Sequence, residues 1–150
     1  MAFKKYVANK DTSITNVYKG QVVNVTGPRH TGSNTGLSDT LQVFSVYNRV
    51  SSSTNGASAE LSRLLIEFPV SDIKSDRNAG TIPAKDSVSF ILNLYDQQHG
   101  TIQPTGYDIE VLPLSASWEE GYGVDATAFS DVTNDRTGAN WMRANGTDAS

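Results

Sequence analysis

The sequence predicts an all-β fold: an antiparallel β-sandwich, jelly-roll-like, with long polar loops. Apolar residues alternate with a period of two wherever they concentrate, which is typical of strands with one buried face. Ser, Thr, Asn and Gly together supply 54 of the 150 residues, a composition that favours turns over long helices. Because no amphipathic helix of crossover length is present, two packed antiparallel sheets fit the pattern better than a βαβ architecture.

Four segments carry the strand pattern most clearly. The longest is residues 88–95, where Val, Phe and two Leu alternate with Ser, Ile, Asn and Tyr, and we expect it to be a central strand. Pro69 and Pro113 end two of the other runs, because proline cannot donate to a strand ladder. The remaining three predicted strands are residues 40–47, 63–68 and 107–111.

Weaker patterns predict three more strands and two helical turns. The strands are expected at residues 5–8, 13–17 and 21–25. Short helical turns are expected at residues 58–61 and 70–73, the second with Ser71 as its N-cap. Polar connections fill residues 27–39, 51–60, 71–85 and 97–106.

The length indicates one domain in two parts. We expect residues 1–114 to form the sandwich core and residues 115–150 to be an aromatic and acidic loop segment, either separate or completing the same domain. Periodicity is lost after residue 115, where aromatic side chains alternate with Gly, Asp and Thr. Large aromatic residues in such a setting pin a loop to a sheet or to a neighbouring subunit.

Charge and cysteine content exclude several classes of function. The net charge is −4, with six basic against two acidic residues before position 51 and six against fourteen after it. That balance makes nucleic acid an improbable partner, and it permits head-to-tail contact between copies. The chain has no cysteine, hence no disulfide and no thiolate metal site, and no apolar run long enough for a signal peptide or a membrane span. We expect it to fold in the cytoplasm.

Catalytic and metal-binding patterns are weak. Glu119 and Glu120 are adjacent carboxylates, but neighbours on an extended chain point to opposite sides, so general acid/base work on a sugar is disfavoured. Gly32 to Gly36 lacks the lysine and helix of a phosphate loop, and no Gly-x-Ser-x-Gly turn occurs. We therefore predict no enzyme activity and no cofactor.

A calcium site in the loop at residues 119–135 is left open. Asp125, Asp131 and Asp135 supply oxygen ligands for a hard cation, but their spacing matches no calcium loop. Solvated surface acids are the simpler interpretation. His30 and His99 lie in glycine-flanked loops with no partner at metal-ligand spacing.

Several motifs, in order along the chain, resemble a known family. They are an opening Asp11-Thr12, the strand Ser62-Arg63-Leu64-Leu65-Ile66-Glu67-Phe68-Pro69, then Ile82-Pro83-Ala84, Trp118-Glu119-Glu120-Gly121 and Asn140-Trp141. They resemble β-sandwich domains of the DNRLRE type and, more closely, the N-terminal part of structural proteins from tailed phages, notably marine T4-like ones. The resemblance implies a jelly-roll-like sandwich in a virion component. Such chains usually continue with further strands past the second tryptophan.

The sequence therefore predicts a non-enzymatic virion protein, a capsid decoration or a fibre, that contacts other virion proteins and forms a homo-oligomer. Exposed aromatic and basic residues are the expected contacts, because such anchors dominate interface energetics. They are Phe3, Lys4, Lys5, Tyr6, Trp118, Tyr122 and Trp141. Burial of Trp118 in the core of its own chain is an equally weighted alternative.

Two other classes of function remain open. A carbohydrate-binding module or host-receptor adhesin, with surface glycans as partners, requires a row of tyrosines and tryptophans on one sheet face. A polysaccharide lyase or glycosidase fragment requires a carboxylate pair or a Tyr/His/Arg cluster in a cleft, and the chain is short for such an enzyme.

Overall fold

A computed structural model describes residues 3–17, 31–48, 58–98, 100, 105–123 and 138–145 of the chain. They form two compact units: residues 1–5 with 69–115 make unit 1, and residues 6–68 with 116–150 make unit 2. Residues 116–150 belong to the same unit as residues 6–68, and residues 69–115 belong to the other.

Unit 2 contains a three-stranded antiparallel sheet. The strands are β1 (Lys10–Thr15), β2 (Ser45–Asn48) and β3 (Ser58–Glu67), in the order β1-β3-β2. Lys10 lies opposite Glu67 and Thr15 opposite Ser62, while Ser45 lies opposite Leu61. The sheet is therefore antiparallel, and the described residues contain little helix, as predicted. These residues do not by themselves form a full two-sheet sandwich.

The predicted strands differ from this sheet in their bounds. The strand expected at residues 63–68 is present but begins at Ser58, so the helical turn expected at residues 58–61 is wrong. Those residues are strand because they pair with β2. The strand at 40–47 is shortened to Ser45–Asn48, and the one at 13–17 is shifted toward Lys10.

The other predicted strands are not formed in the described structure. Residues 5–8 precede β1 without pairing as a strand, and residues 88–95 and 107–111 have no regular secondary structure. The last two have strand-like side chains but no ladder partner among the described residues. Residues 21–25 lie outside the part of the chain that the structure describes.

Among its described residues, unit 1 contains one α-helix, α1 (Val70–Asn78), which is longer than the turn expected at 70–73. Its N-cap residue is Pro69 and no side chain caps it, so the predicted Ser71 cap is wrong. The helix ends in a Schellman motif: Gly80 has φ +74°, its amide donates to the Arg77 carbonyl, and the Thr81 amide donates to the Asp76 carbonyl. A 3₁₀ turn follows at Lys85–Ser87.

The interior of unit 2 is polar. Thr12, Ser13 and Thr15 of β1 are buried, as is Ser62 of β3. The Thr15 hydroxyl donates to the Leu61 carbonyl at 2.9 Å, and the Ser62 hydroxyl donates to the Gln42 carbonyl. Small hydroxyl side chains are tolerated inside because each finds a partner. None of the described helices is long and apolar enough to cross a bilayer.

The buried hydroxyl of Ser62 supports a first prediction. Ser62→Ala leaves the Gln42 carbonyl without this donor, and we expect a loss of about 1–2 kcal/mol in the free energy of unfolding. Urea denaturation followed by circular dichroism measures it. Ser71→Ala is the matched control, because that hydroxyl is exposed and bonds only the neighbouring Asp72 carboxylate. Equal losses in the two variants would contradict the role given to Ser62.

Candidate functional site

Three loop segments of unit 2 meet at the side chain of Asn34. This residue is 3% exposed, and its amide nitrogen donates to the Glu120 carbonyl at 2.7 Å and to the Ala139 carbonyl at 2.8 Å. Its amide oxygen accepts from the backbone N–H groups of Gly36 and Gly123, each at 3.0 Å. Two donated and two accepted bonds use the whole hydrogen-bonding capacity of an asparagine side chain. We call Asn34 and these four partners the asparagine junction.

Glycines around the asparagine junction allow the backbones to approach closely. A Cβ atom on Gly123 would lie 1.7 Å from the Asn34 carbonyl oxygen, and one on Gly36 would lie 2.1 Å from that of Glu120. Gly138 has φ +96°, a conformation that favours glycine. Any side chain at these positions would push the loops apart and lengthen the bonds to Asn34.

Backbone hydrogen bonds link the same loops. The Leu37 amide donates to the Gly123 carbonyl at 2.8 Å, and the Ala139 amide donates to the Glu119 carbonyl at 2.7 Å. The Glu119 amide in turn donates to the Ala144 carbonyl at 3.1 Å. The loops therefore pair with one another although none of them is a regular strand.

A second asparagine, Asn140, shapes the last of these loops. Its side-chain oxygen accepts from the amides of Met142 at 2.9 Å and Arg143 at 3.0 Å. This is a local turn in which the side chain replaces a backbone acceptor. Unlike Asn34, it acts only as an acceptor in these bonds.

Thr35 joins the asparagine junction to the sheet. Its hydroxyl donates to the Ser13 carbonyl at 2.9 Å and lies 3.1 Å from the Ser13 amide, which donates to it. The Ser13 hydroxyl accepts from the Gln42 amide at 2.8 Å. The loop holding Asn34 is thereby fixed to β1 through side-chain hydroxyls.

The Glu120 carboxylate reaches the backbone of Asp11 in β1. The Asp11 amide donates to the Glu120 carboxylate at 2.9 Å. Burial, and secondarily the negative charge of Glu120, raises the pKa of the Asp11 carboxyl above its ordinary 3.8. Among the described residues no third acid, histidine or cysteine completes a metal-binding group with these two.

Both tryptophans of unit 2 are approached by cations from the sheet. The Lys10 ammonium lies 5.8 Å from the centroid of Trp118 and also 3.2 Å from a Glu67 carboxylate oxygen. The Arg63 guanidinium carbon lies 4.9 Å from the centroid of Trp141. Cations over aromatic faces are attracted by the ring quadrupole, so these contacts hold the two aromatic loops against β1 and β3.

The predicted contact residues of the last segment occupy different environments. Trp118 is 7% exposed, which is the core position left open as the alternative. Tyr122 is 63% exposed and Trp141 is half-buried under Arg63. All three lie on the loops of unit 2 that meet at Asn34, and only Tyr122 presents most of its surface to solvent.

The predicted contact residues at the N-terminus are divided between the units. Phe3, Lys4 and Lys5 belong to unit 1, while Tyr6 belongs to unit 2 and is half-buried. Phe3 and Lys5 are exposed. Lys4 forms an ion pair with Asp76 of α1, so its ammonium is already engaged within the chain.

Asn34 was not among the residues singled out from the sequence. Its one sequence signal is its place between Gly32 and Gly36, a glycine spacing that suggests a phosphate loop more readily than a buried amide. The acids considered for calcium, Asp125, Asp131 and Asp135, lie outside the described residues, as do His30 and His99.

Comparison with known proteins adds no family to this geometry. No protein-family model, curated protein or solved structure matches the chain. The resemblance to phage structural proteins therefore stays a prediction.

The saturated amide of Asn34 supports a second prediction. Asn34→Asp keeps the shape but replaces two donated bonds by a carboxylate oxygen facing two carbonyl oxygens. We expect a loss of about 3–5 kcal/mol in the free energy of unfolding, since two buried acceptors lose their donor. Thermal denaturation and urea midpoints measure it. Asn140→Asp is the matched control and should change stability by less than about 1 kcal/mol, because an acceptor is all that position needs. Similar losses in both variants would refute the importance of the donated bonds.

A third prediction concerns pH. Because the folded-state pKa of Asp11 is raised, its contribution to stability is present below the ordinary pKa of 3.8 and is lost as pH rises through the higher folded value. Asp11→Asn, a neutral mimic of the protonated acid, should abolish this loss of stability with rising pH. The variant should be at least as stable as wild type at neutral pH. Urea midpoints measured from pH 3 to 7 test this.

Glu120→Gln separates the two causes that raise the pKa of the Asp11 carboxyl. It retains an acceptor for the Asp11 amide but removes the neighbouring charge, so it should flatten the pH profile only in part. An unchanged slope in Asp11→Asn would contradict the assignment of the profile to this residue.

Proposed function

We propose that this chain is a non-enzymatic structural component of a phage virion, a capsid decoration or a fibre protein, that acts through repeated protein–protein contacts. The observation that carries the proposal is the exposure of large apolar side chains at residues 90–95 and 107–114 of unit 1, in a chain whose composition is otherwise polar. Contiguous exposed apolar surface marks an interaction site in a stable protein. The virion setting itself comes from the ordered motifs of the sequence.

The engagement of the polar residues of unit 2 supports a passive role. The side chains of Asn34, Thr35 and Glu120 form hydrogen bonds with neighbouring loops and with β1. Residues that fix one loop to another build a rigid body. Such a body suits a subunit whose task is to hold a position.

The proposal extends to the finer architecture. We infer an antiparallel, jelly-roll-like sandwich in which the three-stranded sheet is one component. Residues 88–95 and 107–111 carry the side-chain alternation of strands and would add to it once their backbone groups are paired. Among the predicted anchors, Phe3, Lys5 and Tyr122 have exposed side chains that fit attachment to other virion proteins.

A fourth prediction tests this function. Mass spectrometry of gradient-purified phage particles should detect this chain in a fixed ratio to the major capsid protein, and cryo-microscopy should place it at repeated positions. The control is the soluble fraction of the same lysate. Detection in that fraction and never in washed particles would refute the virion role.

A carbohydrate-binding or receptor-binding role is the second candidate. It is favoured by the exposure of Tyr95 and Tyr107 in unit 1, since tyrosine faces stack on sugar rings. A glycan array separates the two functions. Binding that disappears in Tyr95→Ala and Tyr107→Ala would favour the adhesin, and a signal at background would remove it.

A further inference from the structure

One side of β1 faces β3, and the other faces the loops of unit 2. The amide of Asn16, the residue after β1, donates to the Leu61 carbonyl of β3 at 3.2 Å. Backbone groups of a strand point to its two sides at alternate residues, so Asp11, Ser13 and Thr15 direct theirs away from β3. We call this side of β1 its outer edge.

Side chains of two loops occupy the outer edge. The Asp11 amide donates to the Glu120 carboxylate at 2.9 Å. The Thr35 hydroxyl accepts from the Ser13 amide at 3.1 Å and donates to the Ser13 carbonyl at 2.9 Å. One hydroxyl thus makes the two bonds that a directly opposed residue makes in an antiparallel ladder.

The two loops bond to the outer edge through side chains and not through their backbones. Among the residues that the structure describes, no backbone-to-backbone hydrogen bond joins Lys10–Thr15 to residues 31–40 or 118–123. Neither loop is therefore a strand of the sheet, whose order ends at β1. A strand in that position is a template for a strand of another chain unless something covers it.

The asparagine junction holds both capping residues in place. Thr35 follows Asn34 directly, and the Glu120 carbonyl accepts from the Asn34 amide nitrogen at 2.7 Å. Ser13 is 3% exposed and Thr35 is 2% exposed, so water does not reach their hydrogen bonds. Without the Thr35 hydroxyl, the Ser13 amide would be buried without a partner, which costs free energy.

We propose that Thr35 and Glu120 are edge caps, which keep the outer edge of β1 from pairing with a strand of a second copy of this chain. The inference goes beyond the proposed function, because it concerns a surface that the fold closes to association. A chain that assembles through repeated contacts needs its sheet edge closed, since strand pairing there would compete with those contacts.

The outer edge is compatible with a second copy of itself once the caps are removed. A twofold axis through Ser13 lets the two copies of that residue exchange the two bonds that Thr35 now makes. The same axis places Asp11 opposite Thr15, so the two acids do not face each other. A second copy therefore satisfies the groups that the caps satisfy in one chain.

A fifth prediction concerns the double variant Thr35→Val with Glu120→Met, which keeps the shape of both side chains and removes both caps. In dilute solution the amides of Asp11 and Ser13 should exchange at least about tenfold faster than in wild type, because they have lost their acceptors. Both amides should regain protection as the protein concentration rises, because a strand of a second copy takes the vacated positions. Hydrogen exchange followed by NMR measures the protection, and analytical ultracentrifugation of the full chain measures the association.

The matched control is Thr35→Ser with Glu120→Gln, which retains a hydroxyl and a carbonyl acceptor at the two positions. We expect its Asp11 and Ser13 amides to exchange as in wild type, with no dependence on concentration. Circular dichroism shows whether each variant is folded. If the double variant unfolds, the single variants replace it: Thr35→Val should expose the Ser13 amide and Glu120→Met the Asp11 amide, each regaining protection with concentration.

Several outcomes would overturn the proposal. Faster exchange that is the same at every concentration would mean that the two side chains only hold their loops. Association of the double variant with new protection outside β1 alone would place the contact elsewhere. Concentration-dependent protection of these amides in wild type would mean that the edge is open, and unfolding of both single variants would mean that the fold itself requires the side chains. None of these results bears on the virion role, which detection in washed particles decides separately.

Discussion

The structure of unit 2 depends on the hydrogen-bond saturation of the Asn34 side chain. One buried amide holds its own loop and two loops that are distant in sequence, and each of its four polar sites has a partner. A buried amide left partly unpaired would cost more free energy than it contributes, so the arrangement is stable only when complete. The bonds to Asn34 require glycine at positions 36 and 123, because only glycine lets the partner backbones reach the amide.

The polar interior around β1 is also held together by hydrogen bonds of buried side chains. Thr12, Ser13 and Thr15 are buried and make side-chain hydrogen bonds, so directional contacts do much of what apolar packing does elsewhere. Each such bond contributes about 1 kcal/mol net, which is modest, yet each fixes an angle and a distance. The sheet and its loops gain a defined geometry more than a large margin of stability.

Sequence patterns predicted elements that show in the side chains of one segment and missed those that depend on residues distant in the sequence. The alternation of Leu64 and Ile66 located β3, although residues 64–67 are half-buried alike and the strand is defined by its pairing with β1 and β2. The same kind of pattern placed a central strand at residues 88–95, where the structure has none, because alternation records side chains and not the presence of a ladder partner. Asn34 could not be predicted, since its partners Glu120 and Ala139 are brought to it only by the fold.

The two units therefore differ in what they leave unsatisfied. In unit 2 the polar groups of the asparagine junction are paired internally, so little drives its loops to rearrange around a partner. Residues 88–95 of unit 1 keep backbone groups that water can satisfy and apolar side chains that water cannot. The residues that define the rigid loops of unit 2 are therefore not the exposed apolar residues of unit 1 on which the proposed function rests.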